Sequence, residues 1–264
     1  LKTAIKRKED ATTKIRSAKW KRYVFPLAAF FTGIVLTVGL SYITLNNKVS
    51  NYIVATPAGQ RAQFVLPDGS KVWLNSSTQL SYRNSFWSKK RQVALVGEAY
   101  FEVVHNDDSP FIVSSKNIQT RVLGTKFNFR NYKDDLEAKV CLLEGKVALN
   151  TREKETILHP DQQALLDKKT GKLSVSDTKA AYSAEWTNDF LYFDEVLLSD
   201  IIKELERSYD VKITVADDTL NTIRFYGNFR KREQSIREIM NVLSSTDKMT
   251  YTVNGKNIVI TLPQ

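Results

Sequence analysis

The chain has 264 residues, of which 42% are hydrophobic and 11% aromatic, and its formal net charge is +10. This composition excludes a largely disordered chain, and the length is sufficient for two domains. Residues 1–22 contain nine basic and two acidic side chains, so +7 of the net charge lies there and only +3 in the remaining 242 residues. A near-neutral body argues against a nucleic-acid-binding domain with a broad basic face.

An uncharged segment follows the basic one. Residues 23–45 contain no charged side chain. A helix of this length would extend about 34 Å, more than the roughly 30 Å hydrocarbon core of a bilayer. A cleaved signal peptide would have a shorter apolar core and a small-residue cleavage site, which residues 41–52 lack. The sequence therefore predicts a transmembrane helix over residues 23–45.

The basic segment, residues 1–22, sets the expected orientation of this span. By the positive-inside rule it holds the N-terminus in the cytoplasm, so residues 46–264 are expected to be exported. Two other interpretations of the basic residues stay open, an arm that binds nucleic acid and a patch that binds anionic lipids.

Residues 50–175 have the pattern of an all-β domain. Short apolar runs alternate with turn sequences, and Pro67 and Gly69 form a hairpin turn between two of them. Cys141, the only cysteine, lies in an alternating run and is expected to be a buried strand residue. Two packed sheets or a solenoid-like roll would accommodate the predicted strands. These include residues 63–66, 71–74, 92–96, 99–104, 111–114, 119–123, 126–130, 136–143, 147–149, 163–166 and 172–175.

Residues 190–264 have a different period and predict a small α+β domain of βαβ-βαββ order, joined to the first by a linker at 176–189. Two segments place apolar residues at helical spacing, and Asp194 is the candidate cap of the first helix. A final strand pair flanks Asn254 and Gly255, a strong hairpin signal.

No residue pattern predicts catalytic turnover, a cofactor or a metal site. His105 and His159 both lie in turn sequences, and the common nucleophile, zinc-protease, phosphate-loop and dinucleotide motifs are absent from the sequence. A metal site of His105 with Asp107 and Asp108 is disfavoured, since zinc requires three or four rigidly held ligands. The chain is therefore expected to bind and signal and not to be an enzyme.

One strand is a candidate partner surface. Phe225, Gly227 and Phe229 alternate as a core strand would, yet a glycine at the centre would also let a second backbone approach closely. Pairing of this strand's edge with a partner protein is one interpretation, and a plain core strand is the other.

Several motifs, in order, resemble those of FecR-family membrane anti-sigma regulators. The similarity covers about residues 50–262, and residues 190–264 are similar to the short domain shared with secretins and TonB-dependent transducers. Asp161 stands where the family pattern has a glycine. The motifs are LPDGSKVWLN (66–75), VGEAYFEV (96–103), PFIV (110–113), VLGTKFNF (122–129), EGKV (144–147) and WTNDFLYF (186–193).

The resemblance implies an inner-membrane protein whose C-terminal domains lie in the periplasm. There, such proteins meet the signalling domain of an outer-membrane TonB-dependent transporter. Their cytoplasmic domain holds an extracytoplasmic-function sigma factor until proteolysis by regulatory proteases, or a change of shape, releases or activates it. Residues 1–22 are expected to be a truncated or unusually short anti-sigma region.

The resemblance also implies a candidate self-cleavage site at Gly124 and Thr125. A threonine hydroxyl can attack the preceding carbonyl when the peptide is strained and shielded from water. The alternative is that Gly124 forms a tight bend before a strand. For the whole chain, the alternative to a signalling regulator is a membrane-anchored envelope scaffold or glycan-binding module.

Overall fold

The computed structural model describes residues 26–27, 29–42, 51–83, 91–152 and 154–263. The chain divides into two compact units, Leu1–Ser50 and Asn51–Gln264. The predicted cytoplasmic segment 1–22 lies outside the described residues.

The described residues from 26 to 42 form a helix, α1. Of the helices in the described part of the chain, none is both long enough and apolar enough to cross a bilayer. The transmembrane helix over 23–45 therefore stays a prediction. The large apolar side chains of α1 are exposed, namely Leu27, Phe30, Phe31, Ile34, Val35, Leu36, Val38 and Leu40.

Thirteen strands form the β-rich part of the second unit, as far as the structure describes it. The predicted β-rich fold is thus confirmed. The strands are β1 (Asn51–Thr56), β2 (Ala62–Val65), β3 (Lys71–Leu74), β4 (Thr78–Arg83), β5 (Arg91–Glu102), β6 (Phe111–Ser115), β7 (Ile118–Val122), β8 (Lys126–Asn131), β9 (Glu137–Glu144), β10 (Val147–Asn150), β11 (Glu155–Leu158), β12 (Gln162–Asp167) and β13 (Leu173–Asp177).

Strand β5 belongs to two sheets. Its first half pairs with β4 and β6 in the order β1-β4-β5-β6-β7-β10-β11, and its second half pairs with β3 and β8 in the order β2-β3-β5-β8-β9-β12-β13. The predicted break between residues 96 and 99 is wrong, because the strand is continuous there. It changes sheets at Gly97, whose φ of 112° lies in a region that side chains disfavour.

A single apolar core lies between these sheets. Inward residues alternate along the strands. Four buried phenylalanines from three strands are among the largest side chains of the core, namely Phe101 of β5, Phe111 of β6, and Phe127 and Phe129 of β8. Cys141 is also buried, as predicted. At the turn before β12, Asp161 has a φ of 60°, which explains why a glycine suits this position.

The C-terminal elements follow the predicted βαβ-βαββ order and enclose a second apolar core. Strands β14 and β16 form one antiparallel pair, and β18 lies between β15 and β17 in a second sheet. Asn254 and Gly255 turn β17 into β18, as predicted. The elements are β14 (Phe190–Leu197), α2 (Leu198–Tyr209), β15 (Lys212–Val215), a 3₁₀ helix (Asp218–Thr222), β16 (Arg224–Arg230), α3 (Ile236–Ser244), β17 (Thr250–Asn254) and β18 (Asn257–Thr261).

The two helices of this module begin differently. Ser235 and Glu238 form a reciprocal capping box at the start of α3. The prediction that Asp194 caps α2 is wrong: Asp194 lies within β14, beside an irregularity in its pairing, and α2 begins after Leu197 without a side-chain cap.

Within the predicted linker, residues Ala180–Asn188 form a 3₁₀ helix that packs on the β-rich part. Ala184 and Trp186 form a small buried cluster with Tyr100 of β5. This contact begins the junction between the β-rich part and the C-terminal module.

Candidate functional site

The Gly124–Thr125 peptide lies between β7 and β8 and is held on both sides. The Thr125 side chain is buried, and its Oγ1 donates a hydrogen bond to the Lys146 carbonyl at 3.1 Å. The Thr125 carbonyl accepts from the Val103 amide at 3.0 Å. These bonds fix the hydroxyl and the backbone beside the predicted scissile bond.

Two loops press against this peptide. A Cβ on Gly124 would lie 2.6 Å from the Cα of His105, and a Cβ on Gly145 would lie 2.8 Å from the Gly124 carbonyl oxygen and 3.0 Å from Thr125 Oγ1. Both positions need glycine because backbone occupies the space of a side chain. The packing therefore brings the VLGT and EGKV motifs and the segment after VGEAYFEV to one place.

The sequence did not single out His105 for this place. His105 lies in a loop, as its sequence predicts. Its ring also lies against Gly124, and its Nε2 is 3.2 Å from Asp107 Oδ2. His105 and Gly124 are nineteen positions apart in the sequence, so no local spacing could have joined them. Among the residues that the structure describes, no group of three potential ligands could hold a metal ion.

The candidate partner strand is β16. Phe225 and Phe229 are buried in the C-terminal core, and the ring of Phe229 fills the space that a Cβ on Gly227 would take. Gly227 thus accommodates this chain's own ring on the core face. Within the described residues β16 pairs only with β14, and Tyr226 is 63% exposed on the opposite face.

A buried polar network lies at the junction. Glu98 accepts from Asn75 Nδ2 at 3.0 Å and Asn128 Nδ2 at 2.8 Å. Arg61 Nε donates to Asn75 at 2.9 Å, and Trp186 Nε1 donates to Asn128 at 3.1 Å. A bond of 2.7 Å from Arg61 Nη1 to the Trp186 carbonyl closes the ring, so each side-chain amide is satisfied on both its oxygen and its nitrogen.

Arg130 connects this network to helix α2. Its Nη1 donates to Glu98 at 3.3 Å and to Glu204 of α2 at 2.7 Å, and its Nε donates to Asp135 at 2.9 Å. Arg207, also on α2, donates to Asp135 at 2.5 Å. Arg130 thus bridges carboxylates of the β-rich part and of the C-terminal module, and Arg207 pairs α2 directly with the β-rich part, so the helix is fixed on the sheet.

The charges of this cluster stabilise one another. Burial acts to raise the pKa of Glu204, but Arg130 outweighs it and holds that pKa below its usual value. Burial likewise acts to raise the pKa of Asp135, but Arg130 and Arg207 outweigh it, so that pKa is also lowered. The pKa of Arg130 is raised, because Glu98 and Glu204 overcome the opposing effect of burial.

These shifts predict that acid weakens the junction. A carboxyl group whose pKa is lowered on folding adds stability above its unfolded pKa, about 4.3 for Glu and 3.9 for Asp, and this stability is lost as the pH falls through the folded value. We expect the free energy of unfolding to decrease as the pH is lowered below about 4. The decrease should be smaller in Glu204→Gln, which lacks one of these carboxyl groups. Urea unfolding at pH 7, 5, 4 and 3 measures it. Equal pH dependence in both proteins would contradict the prediction.

The chain belongs to the FecR family. The family described as FecR protein matches residues 52–148, and that described as FecR, C-terminal matches residues 190–260. Together the two regions cover more than half of the chain.

Two crystal structures of a provisionally assigned anti-sigma factor from Parabacteroides distasonis ATCC 8503 are similar to this chain. They are 27% and 28% identical to it, each with a TM-score of 0.76, and each comparison covers 81% of this chain and 100% of the other. None of the curated proteins compared matches the chain. The family and these structures support a regulatory role, and the family implies a sigma factor as a partner in general.

Proposed function

We propose that this chain is an inner-membrane regulator that relays a signal from an outer-membrane TonB-dependent transporter to a cytoplasmic extracytoplasmic-function sigma factor. The observation that carries the proposal is the presence of both FecR regions, in order, in one compact unit. We assign residues 50–175 to the FecR-like domain, 176–189 to the linker and 190–264 to the short signalling-type domain.

The proposed topology is a single span with a cytoplasmic N-terminus and periplasmic C-terminal domains. Its support is the uncharged segment 23–45, the basic segment 1–22 before it and the exposed apolar side chains of α1. An apolar helix exposed on all described sides is suited to lipid and not to water.

The proposed docking place for the transporter's signalling domain is the edge of β16. A two-stranded sheet has unpaired backbone groups that an incoming strand can bind. Tyr226 projects on the face opposite the core, and its hydroxyl donates a hydrogen bond to the Glu195 carboxylate of β14. Its exposed ring offers apolar contact next to the strand edge.

A transcription measurement tests the relay. Deleting the chain should change expression of a transport operon that depends on one sigma factor, and the full chain should restore it. If the deletion leaves transcription normal but alters envelope integrity, the result would contradict the relay and favour the scaffold or glycan-binding alternative.

The geometry also supports self-cleavage between Gly124 and Thr125 as a second function. The specific observation is the close packing of His105 on Gly124 and of Gly145 on the buried Thr125. In the proposed step, Thr125 Oγ forms a bond with the Gly124 carbonyl carbon while the bond to the Thr125 nitrogen breaks, and the hydroxyl proton passes to that nitrogen. Water then hydrolyses the resulting ester.

Thr125→Val should abolish this cleavage, because it removes the nucleophile and keeps the shape of the side chain. We expect wild-type chain to give fragments 1–124 and 125–264 on a denaturing gel, and the variant to stay intact. Thr120→Val, which alters another buried threonine five residues earlier, is the control and should still be cleaved. Wild-type chain that stays intact after folding would overturn the proposal.

A further inference from the structure

The loop after β5 places a His–Asp pair beside the proposed scissile bond. The position that a Cβ would take on Gly124 is 2.6 Å from His105 Nδ1. A Cβ lies about 2.5 Å from the carbonyl carbon of its own residue by covalent geometry, so Nδ1 is within about 5 Å of the Gly124 carbonyl carbon. One bridging water spans such a distance.

Asp107 contacts one of the two ring nitrogens of His105. Its Oδ2 lies 3.2 Å from His105 Nε2. A carboxylate accepts hydrogen bonds, so the neutral tautomer that bonds to Asp107 carries its proton on Nε2 and has its free lone pair on Nδ1. That lone pair is on the nitrogen beside Gly124. A base oriented by a carboxylate and placed beside the reacting bond is the arrangement that activates hydroxyl nucleophiles in other proteins.

We infer that His105, oriented by Asp107, is the proton-transfer residue of the Gly124–Thr125 cleavage; this inference rests on the self-cleavage proposed above. Through a bridging water, His105 Nδ1 takes the proton of Thr125 Oγ as the oxygen bonds to the Gly124 carbonyl carbon. The same nitrogen returns a proton to the Thr125 nitrogen as the carbon–nitrogen bond breaks. The ester and a free amine result, with no net change in protons.

Backbone contacts hold the loop that carries His105. Arg91 Nη1 donates to the Val104 carbonyl at 2.8 Å, and Asn106 donates its amide to the Leu123 carbonyl at 2.8 Å. The ring itself is largely exposed. The charged group in contact with the ring is Asp107. Arg91 holds the backbone of the same loop and is itself paired with Asp68 at 3.1 Å.

Refolding of the full chain tests the inference. Precursor isolated in urea is diluted into detergent at pH values from 5 to 8, and the fragments are quantified on a gel over time. We expect His105→Gln to slow cleavage at least about tenfold and to flatten the rise of its rate with pH, since general-base catalysis contributes about 10²–10⁴-fold. His159→Gln, which changes the other histidine, should cleave as wild type does.

A rescue experiment separates proton transfer from a structural role. Imidazole in the buffer should restore cleavage to His105→Ala, because the position of the His105 ring is open to solvent, whereas imidazole cannot restore lost packing. If wild-type chain is cleaved and His105→Gln is cleaved at the same rate with the same pH profile, this inference alone is overturned. Absence of cleavage in wild-type chain would overturn the inference together with the self-cleavage on which it rests.

Discussion

Arg130→Met is expected to lower the free energy of unfolding by about 3 kcal/mol and the melting temperature by about 6–12 °C. The substitution leaves Glu98, Glu204 and Asp135 without the cation that they share. Breaking a buried ion pair costs about 3–5 kcal/mol, and the lower end applies because the Arg130 side chain is 22% exposed. Urea and thermal unfolding of the full chain in detergent, followed by tryptophan fluorescence, measure the loss.

Lys212→Met is the matched control. Lys212 also pairs with a carboxylate of α2, Glu206, but its side chain is 71% exposed. Water already solvates the Lys212 ammonium, so the change should cost less than about 1 kcal/mol. The double variant Arg130→Met with Glu204→Met should be more stable than Arg130→Met alone, because it no longer buries the unpaired Glu204 carboxylate. Equal effects of Arg130→Met and Lys212→Met would contradict the proposed importance of the junction.

Gly97→Ala is expected to cost at least about 3 kcal/mol. The φ of 112° at this position strains any side chain, and the new Cβ would lie 2.8 Å from Thr78 Cα and 2.9 Å from Thr78 Cβ. Backbone must therefore move where β5 passes from one sheet to the other. The movement would also disturb the hydrogen bond from the Glu98 amide to Thr78 Oγ1. Circular dichroism during heating, together with the soluble yield, measures the effect.

Gly255→Ala is the control for the backbone angle alone. Gly255 has a φ of 60°, and no heavy atom lies within 4 Å of the place of its Cβ. The strain of a left-handed alanine costs about 1 kcal/mol, with no collision to add to it. If Gly97→Ala proved no more harmful than Gly255→Ala, the close approach of Thr78 would not be the reason for a glycine at 97.

The sequence predicted those parts of the fold that depend on neighbouring residues. Alternating apolar residues and turn chemistry located the hairpins at Pro67–Gly69 and Asn254–Gly255, because strand period and turn geometry are local properties. Helical spacing located α2 and α3 for the same reason. The cap at Asp194 failed because tertiary pairing extended β14 through that residue.

The sites depend on contacts between distant residues, which local patterns do not contain. Arg130 pairs with Glu98 across 32 positions and with Glu204 across 74. The motif around Glu98 indicated a family but not the buried network that needs this carboxylate. His105 looked like an ordinary turn residue for the same reason, and only the packing of its loop on Gly124 brings out its chemistry.

The most direct test of the proposed relay is a binding measurement on the full chain in lipid nanodiscs. Isothermal titration calorimetry with purified signalling domains of candidate TonB-dependent transporters should give one partner with a Kd of about 1 μM or tighter. Tyr226→Ala should weaken that binding, and Tyr52→Ala, which alters another exposed tyrosine, should not. Folded chain that binds none of these domains would contradict the relay and favour an envelope scaffold.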